Sequence, residues 1–181
     1  MIELLPFERE DFARLIAWVN PESYDFMVQW AGFGFQLPLD EPQLERYRQG
    51  YEYDEIVQRR IFKAVDSETN TVVGHIELNN INDERRTGTI CRVLIGDSTL
   101  RGKGYGEQMM ARMLDFGFKE LGLRRIDLYV FDFNTAAIAC YEKVGFVKVR
   151  YLREIRLVDE AWWSAFQMSV TSREWRLRSA E

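Results

Sequence analysis

The chain's 181 residues, 46% of them hydrophobic and 14% aromatic, suffice for one folded domain, read as 1–181, and exclude wholesale disorder. Its 24 basic and 29 acidic residues interleave to a net charge of −5 without a basic block, which excludes a nucleic-acid groove and favours a cationic small molecule or peptide as partner. No apolar run approaches the roughly 20 residues that span a bilayer, so no membrane partner is expected. The chain opens on a short strand at 2–5, in a start, "MIELLPFEREDF", that lacks the basic region and apolar core of a signal peptide. "EDFARLIAWV" (10–19) sets Phe12, Leu15, Ile16 and Val19 at helical spacing, and Pro21 stops it. Residues 23–31 are ambiguous, readable as a further helical turn. "DEPQLERYRQGY" reads as a helix with Asp40 or Glu41 as cap and Pro42 in its first turn.

The period then changes to two, giving strands at 59–66, 71–78 and 88–95, the first pair joined by a tight turn at "SETN". A glycine loop leads into a long helix over roughly 104–121, ended by Gly122. A strand at 124–131 precedes "NTAAIACYEKVGF", a helix with Asn134 in front and Gly145 behind. Strands near 147–156 and 164–171 finish the chain. This order predicts a three-layer α+β fold with a mixed, mostly antiparallel central sheet and flanking helices. Cys91 and Cys140 sit in apolar contexts without a CxxC, consistent with buried thiols in a reducing, cytoplasmic setting. His75 is the single histidine, with no ligand cluster around it, so no metal is expected.

The chemistry concentrates in "LIGDSTLRGKGYGEQMMARML" (94–114), where three glycines precede a helix. Side-chain-free backbone at the positive end of a helix dipole suits an anion. A phosphate-binding P-loop fails, because Gly96 and Gly102 are one residue too far apart and Gly104 replaces the magnesium-binding hydroxyl. A dinucleotide fingerprint fails too: the string is GxGxG, and it follows a strand deep in a β-meander.

The segment "RGKGYG", with Arg101, Gly104 and Gly106 at the defining positions, resembles the Arg/Gln-x-x-Gly-x-Gly/Ala signature of the GNAT superfamily of N-acetyltransferases. "VLIGDSTLRGKGYG" is similar to the branch containing ribosomal-protein N-terminal acetyltransferases. "NTAAIACYEKVGF" resembles the superfamily's second signature, an Asn followed seven residues later by Tyr. The likeness covers roughly 60–150 closely. It implies the GNAT acyltransferase fold and acetyl-CoA as co-substrate. Backbone N–H groups from Arg101 through Gly102, Lys103, Gly104, Tyr105 and Gly106 would wrap the pyrophosphate, with the glycines allowing unusual dihedrals and close approach. The side chains of Arg101 and Lys103 either add charge there or are solvated surface. Val93, Leu94 and Ile95 match the segment that splays from the next strand and pairs with the pantetheine amides, as a ligand adding a strand.

By the same resemblance, Asn134 supports the cofactor arm and Tyr141 protonates the departing thiolate as general acid; Asn134 also reads as a plain N-cap and Tyr141 as a core residue. Lys143 faces solvent or touches the 3′-phosphate. Cys140 is the rival nucleophile for a ping-pong scheme, but lies about 100° around the helix from Tyr141, with no histidine evident to activate it. Direct attack of an amine on the thioester follows, with a backbone N–H near Leu94 polarising the carbonyl. The general base stays open. A lysine-type amine costs roughly 4–5 kcal/mol to deprotonate at pH 7, a peptide α-amine only about 1 kcal/mol. The strand position where some relatives carry a glutamate is Thr89 here. Glu77 and His75 on one strand face, Glu84 beyond, and a water relay are the candidates, Glu77 being named first. "PESYDFMVQWAGFGF" and "EYDE" read either as the acceptor mouth or, for the aromatics, as core. The acceptor is a small-molecule or peptide amine. A catalytically silent CoA sensor is the alternative, and a homodimer through "AWWSAF" is a further expectation.

Overall fold

The computed structural model describes residues 1–52 and 55–178. Part of the "EYDE" stretch therefore lies outside the described residues. The chain runs β1 (Ile2–Pro6), a 3-10 turn, α1 (Phe12–Val19), α2 (Tyr24–Ala31) and α3 (Glu41–Gln49). A two-residue pair, β2 (Tyr51–Glu52) and β3 (Glu55–Ile56), precedes the meander β4 (Arg60–Asp66), β5 (Thr71–Asn82) and β6 (Thr87–Ile95). Then come α4 (Tyr105–Asp115), β7 (Arg125–Phe131), α5 (Thr135–Lys143), β8 (Val147–Val158), β9 (Ala161–Thr171) and α6 (Ser172–Arg178). Among the described residues, seven strands form one sheet in the order β1-β4-β5-β6-β7-β9-β8. Each neighbouring pair is antiparallel except β6–β7, which is parallel. This is the mixed, mostly antiparallel sheet that the order of elements predicts.

A bulge on β6 decides the layering. Ile90 and Leu94, four residues apart, would share a face in a regular strand, and the extra residue between them sends them to opposite faces. Ile90 faces a core with Met109, Met110, Met113 and Leu114 of α4 and Ile138 of α5. Leu94 packs instead among Phe12, Leu15 and Val19 of α1, Met27 and Trp30 of α2, and Leu44 and Tyr47 of α3. Each fully buried aliphatic or aromatic side chain contributes about 1.5–3 kcal/mol, so helices covering both sheet faces hold the strand between them.

Several boundaries differ from the sequence reading for local reasons. Residues 24–31 are a full α-helix, because the Ser23 hydroxyl accepts from the Phe26 N–H and its apolar face meets the second core. Of the two proposed caps for α3, Asp40 takes the role, accepting from Gln43 N at 2.9 Å. β5 runs on past residue 78 to Asn82, since its pairing with β6 continues through a register shift to Asn82↔Thr87. The long helix over 104–121 is α-helical only to Asp115 and continues as a π-turn at Phe116–Glu120, where a Cβ on Gly117 would lie 2.5 Å from Ile126 Cδ1. The last two strands are one long hairpin: Asp159 and Glu160 both take positive φ, +42° and +68°, the geometry of a two-residue primed turn without glycine. α6 has no counterpart in the sequence reading. It docks by Trp175, whose indole N–H donates to Asp115 at 2.9 Å.

Candidate active site

A parallel pair of strands that stops pairing early creates the site. β6 and β7 are bonded from Thr87↔Arg125 to Ile90↔Leu128 and no further, so 91–95 and 129–131 diverge. A bulge sharpens the split. Two residues, Arg92 and Val93, oppose Ile76 alone, and Arg92 takes φ +49°, left-handed backbone that a bulky residue adopts only under constraint. The gap opens into a groove of about 560 Å³ with Val93, Leu94 and Ile95 along one wall and Tyr129, Val130 and Phe131 along the other. Its floor is α5, with Asn134, Cys140, Tyr141 and Lys143, and its far end is the glycine loop.

Two of the three loop glycines need their missing side chain for backbone reasons. Gly102 and Gly104 have φ +76° and +80°, and Gly104 is the N-cap of α4. Gly106 has no positive φ, and the Cys140 sulfur lies 3.4 Å from where its Cβ would stand. A Cβ there would make an ordinary contact with Cys140, so neither an unusual dihedral nor protein packing demands the third glycine. Arg101, Gly102, Gly104 and Gly106 all line the groove. Arg101 is held by Glu22 at 3.6 Å. Lys103 is exposed and lies outside the lining, and Tyr105 turns its hydroxyl to Asp66 at 3.0 Å, away from the groove. The Tyr105 ring is thus engaged outside the groove.

On α5, Asn134 is the N-cap, accepting from Ala137 N at 3.2 Å, while its amide N–H donates to Gln29 on α2 at 3.3 Å. Gln29 lines the groove and lies within "PESYDFMVQWAGFGF", though nothing in the sequence singled it out from that stretch. Tyr141 reaches the groove with its ring against Phe146, and its hydroxyl makes no hydrogen bond to any described residue. Burial, reinforced by the neighbouring Cys140 and Cys91, raises its phenol well above the ordinary 10, so it stays protonated. The Cys140 thiol is pushed up to about 11, by burial first and Glu107 second, which leaves little thiolate at neutral pH. Lys143 is neutralised by Glu107 at 2.7 Å.

Glu77 and His75 do share a face, but they are buried, not solvent-facing. Glu77 is 0% exposed, contacting Arg92 Nη1 at 2.6 Å and Arg59 Nη1 at 3.4 Å. The Tyr47 hydroxyl donates to Glu77 at 2.8 Å and lies 3.0 Å from His75 Nε2. With that single phenolic proton spent on the carboxylate, His75 donates from Nε2 and leaves Nδ1 bare. Glu77 therefore sits one side chain behind the groove, with Arg92 between. This corrects the expectation of a carboxylate open to an incoming amine. Glu84 is in the exposed turn before Thr87, at the opposite end of β6 from the groove. The signal for this network was present in "TICRVLI", a lone arginine inside an apolar strand, which costs too much to bury without partners.

Burial, and next the Arg92 charge, hold His75 at about 3. Between about 6.5 and about 3 the unfolded chain binds a proton that the folded chain refuses, so stability falls as pH drops through that window and is untouched above it. In His75→Gln, the stability lost between about pH 7.5 and about pH 5 should shrink by about 2 kcal/mol, read from urea midpoints at the two pH values.

Among the described residues, no group of three or more His, Cys, Asp or Glu side chains could hold a metal ion. No helix among them is long and apolar enough to cross a membrane. A glycine-capped helix beside a split parallel strand pair, with a protonated tyrosine on the facing helix, is the architecture of a coenzyme A-dependent acetyltransferase. Residues 14–146 match the model of the acetyltransferase (GNAT) family, and the chain belongs to that family, whose enzymes use acetyl-CoA as acetyl donor. It is 34% identical over 116 residues to the uncharacterized N-acetyltransferase YokL of the SPbeta prophage of Bacillus subtilis strain 168, a match covering 64% of each chain. It is 27% identical to the spermidine N(1)-acetyltransferase of Vibrio cholerae, over 98% of this chain and 97% of that one. The fold superposes on the Vibrio cholerae spermidine N-acetyltransferase solved with CoA and spermine with a TM-score of 0.80, at 23% identity, covering 97% of this chain and 98% of that one.

Proposed function

We propose that the protein transfers the acetyl group of acetyl-CoA to a primary amine, by direct attack within a ternary complex. The observation that carries this reading is the early end of β6–β7 pairing, which leaves the β7-facing side of the backbone at 91–95 without a strand partner, toward a groove that ends at the glycine loop. Acetyl-CoA supplies the activated thioester. Backbone N–H groups of 101–106, at the start of α4, hold its diphosphate, and the backbone of Val93, Leu94 and Ile95 hydrogen-bonds its amide-bearing arm. An N–H near Leu94 polarises the reacting carbonyl and Asn134 supports the arm. Lys143 and Arg101 at the phosphate end are paired with Glu107 and Glu22, so the backbone carries the phosphate contacts. The Tyr141 hydroxyl delivers the proton to the departing sulfur. The raised Cys140 thiol supports the direct route over a ping-pong one. Glu77 acts as a positioning residue that holds Arg92; the amine loses its proton to a water relay or enters as free base.

The ribosomal-protein branch suggested by the loop signature is not the one the relatives named here represent, and spermidine, acceptor of one of them, is the first amine to assay. A homodimer belongs to the same proposal. Trp162, at 59% exposure, is the side chain of "AWWSAF" available to a partner, whereas Trp163 packs inward on Phe131 and Phe133 at 4.9 Å. Thiol release from labelled acetyl-CoA across a panel of amines, with products identified by mass spectrometry, tests the activity. Release with at least one amine is expected. Tight CoA binding with no release for any amine overturns it in favour of a CoA sensor.

A further inference from the structure

A second cavity, of about 280 Å³, adjoins the groove, and Arg92 lines both. Its walls are aromatic, with Phe33, Phe35, Tyr47 and Tyr51, and its charged lining is Arg46, Arg59 and Arg92. No carboxylate appears among its described lining residues. We propose that this cavity seats an amino-acid-sized acceptor whose carboxylate is bound by Arg46, so that the protein acetylates an amine that also carries an anion. The proposal rests on the acetyl-transfer reading for where the amine must point.

The arginines are built in, not incidental. Arg59 and Arg92 have side chains only 4% exposed, and the carboxylate of Glu77 lies against both. The Arg92 guanidinium stacks over Phe35 and Tyr47 at 5.3 and 5.0 Å, and that of Arg59 over Tyr47 at 5.2 Å. Stacking and ion pairing fix their planes, a rigidity that suits recognition of a planar anion. Both engage further groups, so direct contact with a ligand falls first to Arg46, in the last turn of α3 and exposed at the cavity. The chain's overall charge of −5 points toward cationic ligands, but the described lining here is positive or neutral. A polyamine would place its second cation against Arg46, at a cost in affinity. The aromatic walls suit an apolar side chain, and the volume suits one residue, not a protein surface.

Calorimetry on the CoA-loaded protein, with the twenty L-amino acids, their methyl esters and spermidine as probes, tests this without relying on turnover. At least one free amino acid should bind, and its ester should bind about tenfold or more weakly, the loss of one charge-assisted interaction. Arg46→Glu should lower that affinity by about tenfold or more, and Arg46→Lys should restore most of it. Equal binding of acid and ester, tighter binding of spermidine, or no amino acid bound overturns the proposal. Thiol release is then measured on the same probes. Release with spermidine alone leaves the acetyltransferase reading standing and removes this one. Amino-acid binding with no release from any probe overturns the acetyltransferase reading and the acceptor role with it, leaving only a carboxylate-binding cavity.

Discussion

Tyr141→Phe is expected to lower turnover by about 10²–10⁴-fold, the range lost with a general acid, while leaving CoA affinity within about twofold. The substitution is unusually clean. The ring stays, so its packing on Phe146 at 6.3 Å survives, and among the described residues the hydroxyl has no partner to be orphaned. A departing thiolate is a base with a conjugate pKa of about 8.5, so a protonated donor at the sulfur lowers the barrier to its release. Burial raises the phenol above its ordinary 10. Its protonated form is therefore the dominant one through the neutral and mildly alkaline range, and it is lost only above that. The turnover of the native protein should accordingly show no fall from tyrosine ionisation until beyond pH 10, whereas Tyr141→Phe is low throughout. Turnover with one fixed amine and calorimetric CoA affinity check both arms. Unchanged turnover means that water or another group protonates the sulfur.

The parts of this molecule that local chemistry determines were the parts legible in the sequence. Asn134 and Gly145 bracket α5 because a side-chain oxygen and a positive φ of +105° are local requirements, and period-two alternation over 88–95 tracks a strand buried on alternate sides. The loop glycines were legible as a group, but not as individuals. Gly104 answers to a dihedral, whereas Gly106 has no positive φ and would meet Cys140 at an ordinary contact distance, a distinction that the sequence does not make. The hairpin at Asp159–Glu160 was illegible because its turn uses two acidic residues where glycine or asparagine normally announces positive φ. Of the Tyr47–His75–Glu77–Arg92 network, the lone Arg92 in an apolar strand was the one signal, and its partners were not legible. Tyr47 lies on a helix 28 residues before His75, and nothing in either segment states that they meet at 3.0 Å. For that reason Glu77 looked like a free carboxylate on a strand when it is the counter-ion that fixes Arg92.

Gly104→Val is expected to raise the CoA dissociation constant by about 100-fold or more and to cost the fold about 1–3 kcal/mol. Two separable effects underlie this. The backbone at Gly104 has φ +80°, which a β-branched residue adopts only with strain, and the residue caps α4, so relieving the strain tilts the helix start and its N–H groups together. No atom lies within 4 Å of a Cβ built there, so the protein itself does not clash with the new side chain; the added methyl groups enter the open space before the loop. Gly104→Asn separates strain from occlusion, because asparagine tolerates left-handed backbone while still projecting a side chain. Urea denaturation should show Gly104→Asn close to the native protein and Gly104→Val clearly weaker. Calorimetry should show CoA binding impaired in both. Native-like CoA affinity in both variants would mean that the diphosphate sits elsewhere. Loss in Gly104→Val alone would assign the effect to helix-start geometry instead of to the space in front of the loop.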